Sequence, residues 1–180
     1  MSNLIGREPA QTPSNGLLGA LAYWSREQLE AHVGQVLIAE DQKASGTHGG
    51  TPSSASSWLA RDLNTLVLNT IPGAALASNQ VTLPPGRYMV QASAPVYAAA
   101  HKARLFNVTA AAAVTTARGS TEYMPGYQNQ SLIDGYVDLA VTSLLRIEHW
   151  VSSASGNGWG LAASTGEPEV YTRIVIRKVG

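Results

Sequence analysis

Through most of this chain apolar and polar residues alternate with a period of two, the pattern of strands that bury one face. In the clearest run, Ile133, Gly135, Val137, Leu139 and Val141 face inward, and Leu132, Asp134, Tyr136, Asp138 and Ala140 face outward. The next run repeats it, with Leu145, Ile147, His149 and Val151 on one face and Leu144, Arg146, Glu148 and Trp150 on the other. Near the start, Val36, Ile38 and Glu40 alternate with Leu37, Ala39 and Asp41. Residues 58–71 form a second, longer run, interrupted by Asn64 and Asn69. Residues 80–83 and 87–96 read as the two arms of a hairpin. Residues 101–108 (Ala103, Leu105 and Asn107 on one face), 113–118 and 169–179 complete the set. Eight to ten short strands with turn signals between them and scarcely any helix predict an all-β sandwich or jelly roll. No internal repeat is visible, which excludes propellers and solenoids.

Only residues 25–34 read as helix. Ser25 and Gln28 have the spacing of a capping box, residues 27–31 continue as one or two turns, and Gly34 ends them. Ahead of it, residues 1–24 are rich in Pro, Asn, Ser and Gly and carry an apolar cluster of Leu17, Leu18, Leu21, Tyr23 and Trp24. A polar segment that ends in aromatics calls for a docking surface. The expected division is therefore residues 1–34 as a docking segment with a short helix, and residues 35–180 as the β domain. The helix is too short for a coiled-coil stalk, which takes three or more heptads.

Composition narrows the partners. Charged residues make up 13% and cancel to a net charge of zero, so no broad field attracts nucleic acid or an anionic membrane. So low a charge fraction suits a surface covered by copies of itself. The absence of cysteine excludes disulfides, thiolate metal sites and cysteine nucleophiles. The first residues lack a basic region followed by an apolar run, and no stretch approaches the roughly 20 apolar residues of a membrane span. The expectation is a protein assembled in a cytoplasm, with no membrane partner. The sequons at Asn107 and Asn129 carry little weight, since such triplets arise by chance.

Candidate chemistry is sparse. His32, His48, His101 and His149 fall in separate segments without paired spacing; His149, on an apolar face, reads as a hydrogen-bonded core residue, and His48 as a solvated one. Asp134 and Asp138 lie on one strand face about 13 Å apart, which suits neither a retaining nor an inverting glycosidase pair. Glu40 with Asp41, and Glu167 with Glu169, flank strand ends, where an acid pair either binds a cation or is simply solvated. No phosphate-binding or nucleophile-elbow motif occurs, so no catalytic residue, metal or cofactor is expected. Gly156, Asn157, Gly158, Trp159 and Gly160 read as an exposed loop presenting an aromatic. Tyr123, Tyr127 and Trp159, with Trp150 beside them, are candidates for recognition of a host glycan or protein. Alternatively, they pack between subunits.

The hexapeptide Leu83, Pro84, Pro85, Gly86, Arg87, Tyr88 must start a strand, because the prolines bar a helix and Gly86 permits a sharp reversal. It resembles the signature of C1q/TNF-like jelly rolls. More specifically, residues 41–47, 61–65, 76–80, 101–105 and 169–172 resemble stretches of bacteriophage tail-fibre and appendage proteins. The segment Pro13, Asn15, Leu18, Gly19, Leu21, Tyr23, with Trp24 next to it, resembles a short N-terminal stretch of the same proteins. The resemblance implies a homotrimer about a threefold axis, a buried central C-terminal strand, and attachment to another phage structural protein of the tail or head through residues 1–34. It implies a virion structural protein and not an enzyme: a short tail fibre or appendage that contacts the host surface. Because no stalk separates the two parts, a capsid decoration protein is the second reading. A jelly-roll polysaccharide hydrolase, lacking a plausible acid pair, is the third.

Overall fold

The protein was analysed as a computed structural model that describes residues 34–179. The chain divides into two units, residues 1–34 and 35–180. The expected short helix and the docking residues Pro13, Asn15, Leu18, Gly19, Leu21, Tyr23 and Trp24 lie outside the described residues.

The described chain is all β, with eleven strands: β1 (Val36–Lys43), β2 (Trp58–Ala60), β3 (Thr65–Asn69), β4 (Ala75–Ala77), β5 (Gln80–Leu83), β6 (Gly86–Tyr97), β7 (His101–Asn107), β8 (Ala112–Glu122), β9 (Gln128–Leu139), β10 (Ser143–Val151) and β11 (Glu169–Lys178). Neighbours follow the order β3-β1-β11-β6-β9-β8-β7-β10-β5-β4, with β2 on β10, and every pairing is antiparallel. Two five-stranded halves, β3-β1-β11-β6-β9 and β8-β7-β10-β5-β4, face each other across one core. This is the expected jelly roll. The strands beyond the expected eight to ten are the three-residue β2 and β4, too short to show alternation.

The core draws on both halves. Leu37, Tyr88, Val90, Ile133, Ile174 and Ile176 from the first meet Val81, Leu83, Leu105, Leu145 and Ile147 from the second. Each side chain so buried contributes about 1.5–3 kcal/mol. The last strand, β11, lies between β1 and β6 at the centre of its half, as expected.

The halves are joined where Ala117, Arg118 and Gly119 of β8 pair with Gly135, Asp134 and Ile133 of β9. Two glycines make this junction possible. A Cβ on Gly135 (φ +150) would lie 1.9 Å from the Thr116 carbonyl oxygen, and one on Gly119 would lie 2.1 Å from the Ala103 carbonyl oxygen. Thr116 Oγ1 also donates to the Tyr136 carbonyl across the junction.

Three sequence expectations are corrected. Residues 58–71 are two strands, not one: β2 joins β10 while β3 joins β1. Between them the chain crosses from one half to the other as Arg61 and Leu63 turn inward, each 1% exposed. Residues 80–83 and 87–96 are not hairpin arms, since β5 pairs with β4 and β10, whereas β6 pairs with β11 and β9. Pro84 and Pro85 offer no ladder donors, so the chain leaves one half and enters the other; the Tyr88 hydroxyl pins the crossing by donating to the Pro84 carbonyl at 2.9 Å. Val141 does not face inward. It lies past the end of β9 and is 59% exposed.

Candidate functional site

The antiparallel order puts four connections at one end of the sandwich: residues 44–57, 98–100, 123–127 and 152–168. Short bonds tie them together. Tyr97 N donates to Gly158 O (2.9 Å), Ala98 N to Tyr127 O (2.9 Å), and Leu161 N to the Gln128 side-chain oxygen (2.6 Å). The described chain starts at the opposite end, where Lys178 N donates to Gln35 O at 3.0 Å.

The three recognition candidates therefore reach one end of the molecule, but they are not alike. Tyr123 and Tyr127 are 65% and 68% exposed. Trp159 is 9% exposed, which corrects the expectation of a presented aromatic. Its backbone is clamped, with Trp159 N donating to Gly50 O and Gly49 N to Gly160 O. Its ring stacks on His149 at 5.4 Å between centroids, and the Arg61 guanidinium lies 4.3 Å from its centre. With Val96, Ala99 and Val151 it forms a small second core under the loops.

Arg61 organises this second core. Its guanidinium donates to Pro95 O (2.8 Å) and Trp159 O (3.1 Å), and contacts His149 Nδ1 at 3.3 Å. Among the described residues no carboxylate touches it. Burial pulls its pKa down to about 9, opposed by the charges of Asp41 and Asp62. His149 Nε2 lies 2.8 Å from His101 Nδ1, and His101 Nε2 lies 2.8 Å from the Asn129 side-chain oxygen. Since a guanidinium only donates, the direction of every bond follows. His149 accepts at Nδ1 and donates from Nε2; His101 accepts at Nδ1 and donates from Nε2 to Asn129. Both rings are neutral. Burial, then Arg61 and His101, lower His149 to about 2, and burial likewise lowers His101. His149 is thus the bonded core histidine expected, and His48 is exposed, though its Nδ1 accepts from Ala162 N.

Of the acids at the strand ends, Glu40, Asp41 and Glu169 are engaged within the chain, and Glu167 is exposed. Glu169 accepts from the backbone amides of Gly46, Ala163 and Ser164, which hold its carboxyl below the usual range. Asp41, raised by burial and opposed by Lys43, accepts from Lys43 at 3.0 Å and from Asn64. Asp138 is paired with Arg87 at 2.7 Å. Among the described residues no group of three or more acids and histidines converges where it could hold a metal ion.

On the outer face of the second half lies a feature that the sequence did not disclose. Register aligns Trp58, Trp150, Lys102 and Thr121 in one row across β2, β10, β7 and β8. They line a depression of about 290 Å³ with Ala100 and His101. The adjoining row holds Glu148, 2% exposed, between Arg104 and Arg146. Arg104 also covers one face of Trp58, 4.0 Å from its centre. Alternation marked Trp150 as outward, but only register could bring Trp58 and Lys102 to it.

Comparisons with solved structures at a TM-score of 0.50 agree on the fold. The crystal structure of murine APRIL at pH 8.0 matches with a TM-score of 0.50 and 11% identity, over 79% of this chain and 97% of that one. The murine APRIL structure at pH 8.5 gives 0.50 and 13% over the same shares. The globular domain of a zebrafish complement 1qA protein gives 0.47 and 9%, over 79% of this chain and 94% of that one. No family model and no curated protein matches the sequence. The fold is a C1q/TNF-like jelly roll.

Proposed function

We propose that this protein is a bacteriophage virion structural protein: a short homotrimeric tail fibre or appendage, anchored through residues 1–34, that turns the loop end of its jelly roll to the host surface. The observation that carries the trimer is the outer face of the half β3-β1-β11-β6-β9. In register across it run Leu68, Ile38, Val175, Gln91 and Asp134, and beside them Ser93 with Leu132 and Met89 with Tyr136. Leu132 is 58% exposed, and a depression of about 380 Å³ opens between Gln91, Leu132, Arg173 and Val175. The charges here balance, three of each sign: Glu40 accepts from Arg173 at 2.7 Å, Asp138 pairs with Arg87 at 2.7 Å, and Arg177 and Asp134 lie in neighbouring rows. β3 adds Leu66, Val67 and Leu68 on an exposed sheet edge, which solvent-facing proteins normally blunt. A second copy of this chain is the occupant that suits a face whose exposed apolar side chains lie among charges that cancel.

The polarity of the domain supports the anchored reading. Within the β unit, Gln35 sits at the end opposite Tyr123 and Tyr127. The segmental resemblance to tail-fibre proteins supplies the phage context. A non-catalytic role is supported by the candidate chemistry, since His101 and His149 have both ring nitrogens committed and Asp138 is paired.

Sedimentation of the purified chain tests the trimer; a stable monomer at micromolar concentration refutes it. A copy count on purified virions tests the attachment: few copies per particle fit a tail appendage, and hundreds fit a head decoration.

A further inference from the structure

We propose that the row Trp58, Trp150, Lys102 and Thr121 is a saccharide site that takes a pyranose ring bearing a carboxylate. Adjacent strands lie about 4.8 Å apart, so the neighbours Trp150 and Lys102 are spaced about as one sugar ring is wide. The volume of about 290 Å³ is at the small end of ligand pockets, right for a single ring and too small for a folded peptide. Two indoles offer planes for the C–H face of a sugar. Trp58 is held in place, since Arg104 lies over it and is itself bonded to the buried Glu148 at 2.7 Å. Stacking on that indole therefore costs little side-chain entropy.

The polar end of the row fits the substituents of the ring. Neither the Lys102 ammonium nor the Thr121 hydroxyl has a partner within the described residues. Arg104, the other cation beside the stacking planes, is engaged by Glu148, which leaves Lys102 to match one carboxylate on the ring. Glu122, the nearest acid in register, lies opposite His101 and not in this row. His101 at the floor bonds His149 through Nδ1 and Asn129 through Nε2, so it has no free nitrogen to transfer a proton to a glycosidic oxygen. The site binds and does not cleave. At the middle of the row β10 and β7 are paired on both sides, so no peptide can add there as an extra strand.

This goes beyond the virion reading and is tested without particles. Methyl glucuronide and methyl glucoside are titrated into the full-length protein, following indole N–H resonances and tryptophan fluorescence. The glucuronide should shift the Trp58 and Trp150 signals and bind about 2–5-fold more tightly than the glucoside, the range of an exposed ion pair. Trp150→Ala should weaken it about tenfold, as loss of a stacking plane does. Lys102→Gln, which leaves the fold untouched, should make the two sugars equal. No shift at about 20 mM sugar, far above the roughly millimolar affinity expected of one ring, overturns the proposal. So does binding that Lys102→Gln and Trp150→Ala both leave unchanged, or preference for a mononucleotide over the glucuronide. A protein that binds glucuronide yet is absent from virions would sink the virion reading alone.

Discussion

His101 Nδ1 accepts a hydrogen bond from His149 Nε2 at 2.8 Å, and the pair sits in the interior beside a fully buried arginine. A proton on either ring would place a second positive charge next to Arg61 with no carboxylate in contact. The unfolded chain takes up these protons near pH 6.5, whereas in the folded chain burial holds both rings neutral and His149 down to about 2. The unfolded state therefore binds more protons below pH 6.5, so this contribution is complete above that pH and is lost as pH falls. His149 should cost about 1.4 kcal/mol per pH unit below 6.5, and His101 adds to the loss in the same direction. Urea midpoints from pH 7 to pH 4.5, compared with His149→Gln, check this; a variant as acid-sensitive as the parent refutes it.

Trp159 should behave as a core residue. Trp159→Ala removes the ring between Arg61 and His149 and should cost about 3–5 kcal/mol. Thermal unfolding decides between this and a surface role, which would leave stability unchanged.

Gly135→Ala should be disruptive out of proportion to one methyl group. The added carbon meets the Thr116 carbonyl at 1.9 Å and the residue holds φ +150. Strain and overpacking together should cost at least about 2 kcal/mol. Hydrogen exchange should show early loss of protection at Ala117 and Gly119, and unaltered protection there would refute the account of the junction.

Leu132→Asp places a charge at the centre of the proposed copy interface, where it cannot be desolvated cheaply. It should yield a folded monomer by sedimentation, while moderate salt leaves the parent trimer intact because few ion pairs hold it. A trimeric Leu132→Asp variant would move the interface elsewhere.

Deleting residues 2–24 should leave a folded trimer that no longer joins the particle, because every strand among the described residues begins after Gly34. Incorporation of the truncated chain into virions would refute the anchor.

The strands were legible in the sequence wherever one face is buried along a whole run, as from Gln128 to Leu139, because alternation reports burial directly. Pairing was not. β5 and β6 look like a hairpin because they are adjacent and share a turn sequence, yet alternation is the same whichever strand lies alongside. Trp159 was misread for a related reason. Glycines around an aromatic mark a loop but not which side of the loop the ring takes, and here Arg61, a hundred residues away in sequence, supplied its partner. The row of Trp58, Trp150, Lys102 and Thr121 left no local signal, since its members come from four strands and meet only through register.

The position of β11 bears on how this chain comes to be folded. Its partners β1 and β6 are made early, but they remain about two strand widths apart until the last strand arrives to bond both. While synthesis continues, each presents an unpaired edge, and pairings of such long sequence separation form slowly. The nascent domain can therefore close only after β11 has been made, and an interruption between β6 and β11 leaves two open edges ready to pair with a neighbour.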